Sequence, residues 1–137
     1  MTVSHFDEIV LGDQFRRELH VTDDLMASFQ IISGDDNLLH TEVTYAHAKG
    51  FKGRVAYGNL IGLMVSSLVG VEMSRFEVML VSQQIIYRKP VYVGDKISMC
   101  GTITSKLDAM KVAELKIEVR KQDGVSVATG KVQVVCL

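Results

Sequence analysis

Ser33-Gly34-Asp35-Asp36-Asn37-Leu38-Leu39-His40 sets a carboxylate and an imidazole five positions apart, directly after a glycine. Glycine tolerates positive φ and commonly stops a helix, so the chain is expected to turn at Gly34. Asp35 and His40 then sit on a bend where their side chains can converge. Eighteen positions beyond His40, Gly58 opens an apolar run from Leu60 to Val71. A glycine at a helix start exposes backbone N–H groups that can receive a developing negative charge. Acid, base and anion receptor are thus all available within one short segment.

Outward from that segment, the periodicity predicts the flanking elements. Thr22 is a plausible N-cap, with Asp23 and Asp24 near the positive end of a helix whose apolar positions are Leu25, Met26, Phe29 and Ile31 or Ile32. Before it, Gly12-Asp13 marks a turn and Phe15 to His20 a strand. After it, Thr41 to Lys49 suits a short helix stopped by Gly50 and Gly53, and Phe51 to Tyr57 an extended connection. Leu60 to Val71 is apolar on almost every face, which predicts a buried helix, with Gly62 and Ser66 as a strip for close backbone approach. Strands follow over Val78–Tyr87, Lys96–Thr104, Lys111–Lys121 and Val125–Cys136. Pro90 falls at a strand edge, and Asp123-Gly124 is a hairpin signal. In the third of these strands Ala113, Leu115, Ile117 and Val119 alternate with Glu114, Lys116, Glu118 and Arg120. Antiparallel strands following one buried helix argue for an α+β fold, a curled sheet around that helix, with residues 1–137 forming a single domain.

Composition narrows the function classes. The 137 residues are 47% apolar and 23% charged, as expected of one globular domain with a real core. A net charge of −1 offers no basic surplus for a phosphate backbone, so nucleic acid is not expected as a partner. No apolar run reaches the ~20 residues a membrane span needs, and the first residues (Met1-Thr-Val-Ser-His-Phe-Asp-Glu) lack the pattern of a signal peptide. Cys100 and Cys136 form neither a metal pattern nor a disulfide framework, and a cytoplasmic location is expected.

The run "SGDDNLLH…AHAKGFKGRVAYGNL" resembles the hydratase motif of MaoC-like dehydratases, the (R)-specific enoyl-CoA hydratases of hotdog fold. That motif reads roughly S-G-D-x-N-P-x-H, then an alanine-rich segment, then H-G before the central helix. Asp35, Asn37 and His40 fall on its positions, and Gly58 on the glycine of H-G. Leu38 stands where the motif has proline, and Tyr57 where it has histidine. The likeness extends more loosely through "KPVYVGD" in the second half.

The resemblance implies a hotdog arrangement that dimerises by joining two sheets edge to edge, with acyl thioesters as substrates. It implies Asp35 and His40 as the acid–base pair that hydrates a trans-2-enoyl thioester to the (R)-3-hydroxyacyl form, and Gly58 N–H as the donor to the thioester oxygen. Asn37, Tyr57, Asn59 and Arg88 are expected on the substrate, Asn37 also orienting the loop. Arg54 and Lys89 join Arg88 as candidates for the phosphates of the carrier. No cofactor is implied, since coenzyme A or acyl carrier protein belongs to the substrate.

Other readings remain open. Asp35 can cap local backbone after Gly34, with His40 an ordinary surface residue. Asp35, Asp36, His40, Glu42 and His47 have metal-ligand chemistry but match no standard spacing, so no metal is expected. A hotdog thioesterase would attack the carbonyl carbon instead of the β-carbon, and a binding subunit with a relaxed motif would catalyse neither reaction.

Overall fold

The computed structural model describes residues 4–137, so Met1–Val3, the start of the segment read as lacking a signal peptide, lie outside the described residues. A short 3-10 turn over Phe6–Glu8 leads to strand β1 (Gln14–His20) and helix α1 (Asp23–Ser33). Thr22 caps α1 as its sequence predicts, its hydroxyl accepting the Leu25 N–H at 3.1 Å. Gly34 ends it in the left-handed region at φ 71°, with its N–H donating to the Gln30 carbonyl. Two corrections concern this region. Ile31 and Ile32 are 83% and 84% exposed, so α1 buries only Met26 fully, with Leu25 and Phe29 partly buried. The short helix expected over 41–49 is present as α3 (Val43–Ala48), but an unexpected helix, α2 (Leu38–Thr41), precedes it, because the Asn37 side chain caps a new turn by accepting the Leu39 N–H at 2.9 Å.

Helix α4 (Leu60–Ser67) continues into a wider π turn over Leu68–Glu72. Leu60, Ile61, Met64, Val65, Leu68 and Val69 are buried, but Leu63 and Val71 are about half exposed. The helix therefore has an open face despite being apolar all round, which corrects the expectation of complete burial.

Strands β2 (Val78–Tyr87), β3 (Lys96–Leu107), β4 (Val112–Lys121) and β5 (Ser126–Cys136) complete an antiparallel sheet in the order β1-β3-β4-β5-β2. Strand β3 runs three residues beyond the expected Thr104, past a register shift between Ile103 and Ser105. The alternation read in β4 holds, with Ala113, Leu115, Ile117 and Val119 all buried. Edge strands β1 and β2 both contact the α4–π segment, so the sheet curls until its two margins reach one helix. That is the α+β hotdog arrangement expected from the motif. Gly130 permits a close crossing within it, since a Cβ there would lie 2.2 Å from the Gln84 carbonyl oxygen of β2.

The segment between β2 and β3 positions the site. Val55 and Tyr92 form an isolated antiparallel bridge, and the Ala56 N–H donates to the Val91 carbonyl at 2.7 Å. This pulls the extended stretch before Gly58 against the "KPVYVGD" turn. Asp95 closes that turn, taking the Tyr92 N–H at 2.8 Å, Gln122 Nε2 at 3.1 Å and Lys121 Nζ at 3.1 Å. Burial works to raise its pKa, but these three donors and the lysine charge outweigh it and hold the carboxyl below its ordinary value.

Candidate active site

A cavity of about 370 Å³ opens between α4, the 51–58 segment and the end of β2. That lies within the ~300–1,000 Å³ range of ligand sites. Val21, Phe51, Leu60, Ile61, Val91 and Ile97 supply apolar walls, and His40 and Gly58 line it with Arg88 and Lys89.

His40 reaches this cavity because α2 turns its side chain toward the Val55 bridge. Its Nδ1 lies 2.6 Å from the Val55 carbonyl oxygen. A carbonyl can only accept, so Nδ1 carries the hydrogen and Nε2 of the neutral ring keeps a free lone pair. The Val55 N–H answers by donating to the Leu39 carbonyl at 3.1 Å. Two hydrogen bonds thus lock α2 to the extended segment.

Gly58 lies one residue before the N-cap of α4, Asn59. Among the described residues neither the Gly58 nor the Asn59 N–H has a hydrogen-bond partner, as expected where a helix begins. A Cβ at Gly58 would meet the Tyr87 ring at 3.1 Å, so the aromatic edge of β2 closes over the glycine.

Asp35 lies on the exposed bend and is not part of the lining of this chamber. Its N–H donates to Ser33 Oγ at 3.1 Å, and its Oδ1 accepts the Asn37 N–H at 3.0 Å. The local capping contact considered from the sequence therefore exists, and it leaves the other carboxylate oxygen free of protein partners among the described residues.

Tyr57 bridges the two halves. It is 3% exposed, its ring tilted between those of Phe29 (centroids 4.6 Å apart) and His40 (4.2 Å), and its hydroxyl donates to the Asp35 carbonyl at 2.7 Å. Burial first, then the charges of Asp35 and Asp36, raise its pKa against the opposing pull of Arg54. The phenol accordingly stays a donor through the neutral range. Its hydroxyl is committed to protein backbone, whereas the sequence reading set it on the substrate.

The structure therefore brings His40, Tyr57, Gly58 and Arg88 to one cavity and leaves Asp35, Asn37 and Asn59 outside its lining. The Asn37 side chain is spent on capping α2. Arg88 holds Thr129 Oγ1 through Nε and Nη2 at 3.3 and 3.2 Å. Arg54 pairs with Asp23 instead, on a smaller polar cavity that shares only His40 and Tyr57 with the first. The metal-type residues do not gather: no group of three or more His, Cys, Asp or Glu forms a ligand set among the described residues. Sequence reasoning missed the Val55 carbonyl, the Phe29 ring and Tyr87. Nothing local in the chain marks these, because each meets the site through a long-range pairing.

Known proteins share this fold. A family model for the MaoC like domain matches residues 10–128. An (R)-specific enoyl-CoA hydratase of Aeromonas caviae is 26% identical over 106 residues, spanning 77% of this chain and 79% of that protein. A mitochondrial 3-hydroxyacyl-[acyl-carrier-protein] dehydratase of Arabidopsis thaliana is 29% identical over 87 residues, 64% of this chain and 51% of that one. Among solved structures, an (R)-hydratase from A. caviae involved in PHA biosynthesis superposes with a TM-score of 0.87 at 24% identity, covering 93% of this chain and 96% of the other. The matched span takes in every element from β1 to the start of β5, including the His40–Gly58 chamber, and the chain belongs to the MaoC-like domain family.

Proposed function

We propose that this protein adds water to trans-2-enoyl thioesters to form (R)-3-hydroxyacyl thioesters, and catalyses the reverse dehydration. The observation that carries this reading is the shared chamber in which a His40 ring of fixed tautomer and the unpartnered Gly58 N–H meet apolar walls. The names of the family's curated relatives supply the substrate class and the (R) configuration.

In the forward direction, the Asp35 carboxylate and His40 Nε2 hold a water and take its proton as its oxygen bonds to the substrate β-carbon. The π electrons move toward the thioester, placing negative charge on its oxygen, where the Gly58 N–H receives it. As that charge returns, the pair gives one proton to the α-carbon, so the enzyme ends the cycle unchanged. Asp35 stands outside the lining of the chamber in the isolated chain, and the carbon–carbon double bond lies at the chamber's mouth in this reading. Arg88 and Lys89 face the carrier end, coenzyme A or acyl carrier protein.

The working form in this reading is a homodimer. Strand β2 has β5 on one side and an open edge on the other, with Met79, Val81 and Tyr87 each about half exposed. An exposed apolar edge is a surface for strand pairing. Its end, Tyr87–Arg88, also lines the cavity, so pairing there would wall in the site.

The test is a series of trans-2-enoyl thioesters of graded chain length, on coenzyme A and on carrier protein. Loss of the conjugated absorbance without release of thiol is the expected result. Thiol release would mean thioester hydrolysis, and binding without either signal would mean a non-catalytic role. Either outcome overturns the proposal.

A further inference from the structure

Tyr57 joins the bend, His40 and the start of α4, while its hydroxyl is committed to protein backbone. Its hydroxyl holds the Asp35 carbonyl, its ring faces the His40 ring, and its own carbonyl begins the turn that leads through Gly58 into α4, accepting the Leu60 N–H at 3.1 Å. We infer that Tyr57 is a positioning residue that sets the separation between the Asp35–His40 pair and the Gly58 N–H. This rests on the hydratase reading given above.

The bend that it supports has few other restraints. Asp35 to Asn37 is exposed and held by short side-chain-to-backbone bonds within itself. Among the described residues, the Tyr57 hydroxyl is the one bond that reaches Asp35 to Asn37 from elsewhere in the fold, across 22 positions. The ring behind that hydroxyl is anchored by Phe29 of α1 and is almost wholly buried, so it has little freedom to swing. Removing only the oxygen would free the bend and leave the packing of the ring intact. Ground-state binding of the acyl chain, governed by the apolar walls, would be little affected. Proton transfer requires the carboxylate within hydrogen-bond reach, so turnover would suffer.

The same logic predicts a rescue. Leu38 is the first residue of α2, where the N–H has no intrahelical acceptor, and none is found among the described residues. Asn37 before it has φ −52° and ψ 130°, a conformation compatible with a following proline. Leu38→Pro would therefore stiffen the bend without costing a hydrogen bond, by the route that favours proline at a helix start.

The experiment compares Tyr57→Phe, Leu38→Pro and the double variant. Tyr57→Phe is expected to lower kcat by about tenfold or more, the scale of one hydrogen bond, with KM within about twofold. The Asn37 and Leu39 amides, both bonded within the bend, should exchange with solvent about tenfold faster by NMR. Leu38→Pro should recover most of both losses in the double variant and gain nothing where Tyr57 is present. Unchanged kcat in a folded Tyr57→Phe, faster exchange with no loss of kcat, or losses that Leu38→Pro does not restore would each overturn the assignment. If Tyr57→Phe does not fold, Tyr57→His takes its place. Its shorter ring keeps an aromatic face against Phe29 but lacks an atom at the hydroxyl position, so it too should need Leu38→Pro. Full kcat in Tyr57→His alone would overturn the inference. The exchange measurement needs no substrate, so a wild-type protein that fails to hydrate enoyl thioesters sinks the functional reading while the support of the bend is still measured.

Discussion

The His40 imidazole and the Val55 carbonyl are joined by a 2.6 Å hydrogen bond across fifteen positions of chain. This contact decides which ring nitrogen can do chemistry, because the one facing Val55 must carry hydrogen. It also ties the general-base candidate to the segment that ends at Gly58. A surface histidine would have neither constraint.

His40→Asn places an amide nitrogen near the position of Nδ1 and can keep the bond to Val55, whereas His40→Gln places its amide nearer Nε2. Both should lose on the order of 10²-fold or more in hydration rate, since neither titrates. His40→Asn should retain the higher melting temperature. Asp35→Asn keeps an acceptor for the Asn37 N–H, so it should fold normally and still lose rate to a similar extent. If the two groups act as a unit, the double variant will be little worse than the worse single. Near-normal hydration by folded Asp35→Asn would refute its assignment.

Gly58→Pro removes the N–H while Gly58→Ala keeps it, so the proline variant should be the slower of the two. Alanine is not silent here, because its Cβ would press on the Tyr87 ring at 3.1 Å. Tyr87 is half exposed and has room to yield, so combining Gly58→Ala with Tyr87→Leu should recover activity. Steady-state rates and thermal melts on the four proteins check this, and equal rates for the proline and alanine variants would rule out the amide as oxyanion donor.

Sedimentation at micromolar concentration should give twice the 15.2 kDa chain mass if the open edge of β2 is the dimer contact. A charge at the middle of that edge, Val81→Glu, should shift the protein toward monomer and reduce hydration with it. A monomeric wild type at that concentration would contradict the pairing.

Asp95 predicts an acid-sensitive contribution to stability. Its folded pKa lies below the ordinary 3.8, so its carboxylate favours the folded state above that value. The contribution is complete at neutral pH and is lost as pH falls from about 4 through the lower folded value. Asp95→Asn should cost about 1–3 kcal/mol at pH 7, the scale for hydrogen bonds to a charged group. The deficit should shrink toward acid pH in urea titrations, and a deficit independent of pH would exclude the carboxylate as its source.

The chain by itself determined those features that depend on neighbours a few residues away. Thr22 and Gly34 bound α1 because a cap and a left-handed stop are local choices of backbone and side chain. The alternation of Ala113, Leu115, Ile117 and Val119 marked the buried face of β4 because successive side chains on a strand must point oppositely. Asp35, His40 and Gly58 stood out for the same kind of reason, as residue types at a recognisable spacing. Only the tertiary structure decided the rest. It left Ile31 and Ile32 exposed and opened one face of α4, since apolar periodicity records what a helix can bury and not what arrives to cover it. It chose β5 to lie between β4 and β2, a pairing that local pattern leaves undetermined. It also gave His40 its tautomer through Val55 and put the Tyr57 hydroxyl on Asp35. Those two contacts span 15 and 22 positions, and a hydrogen bond is sensitive to fractions of an ångström that no local propensity specifies.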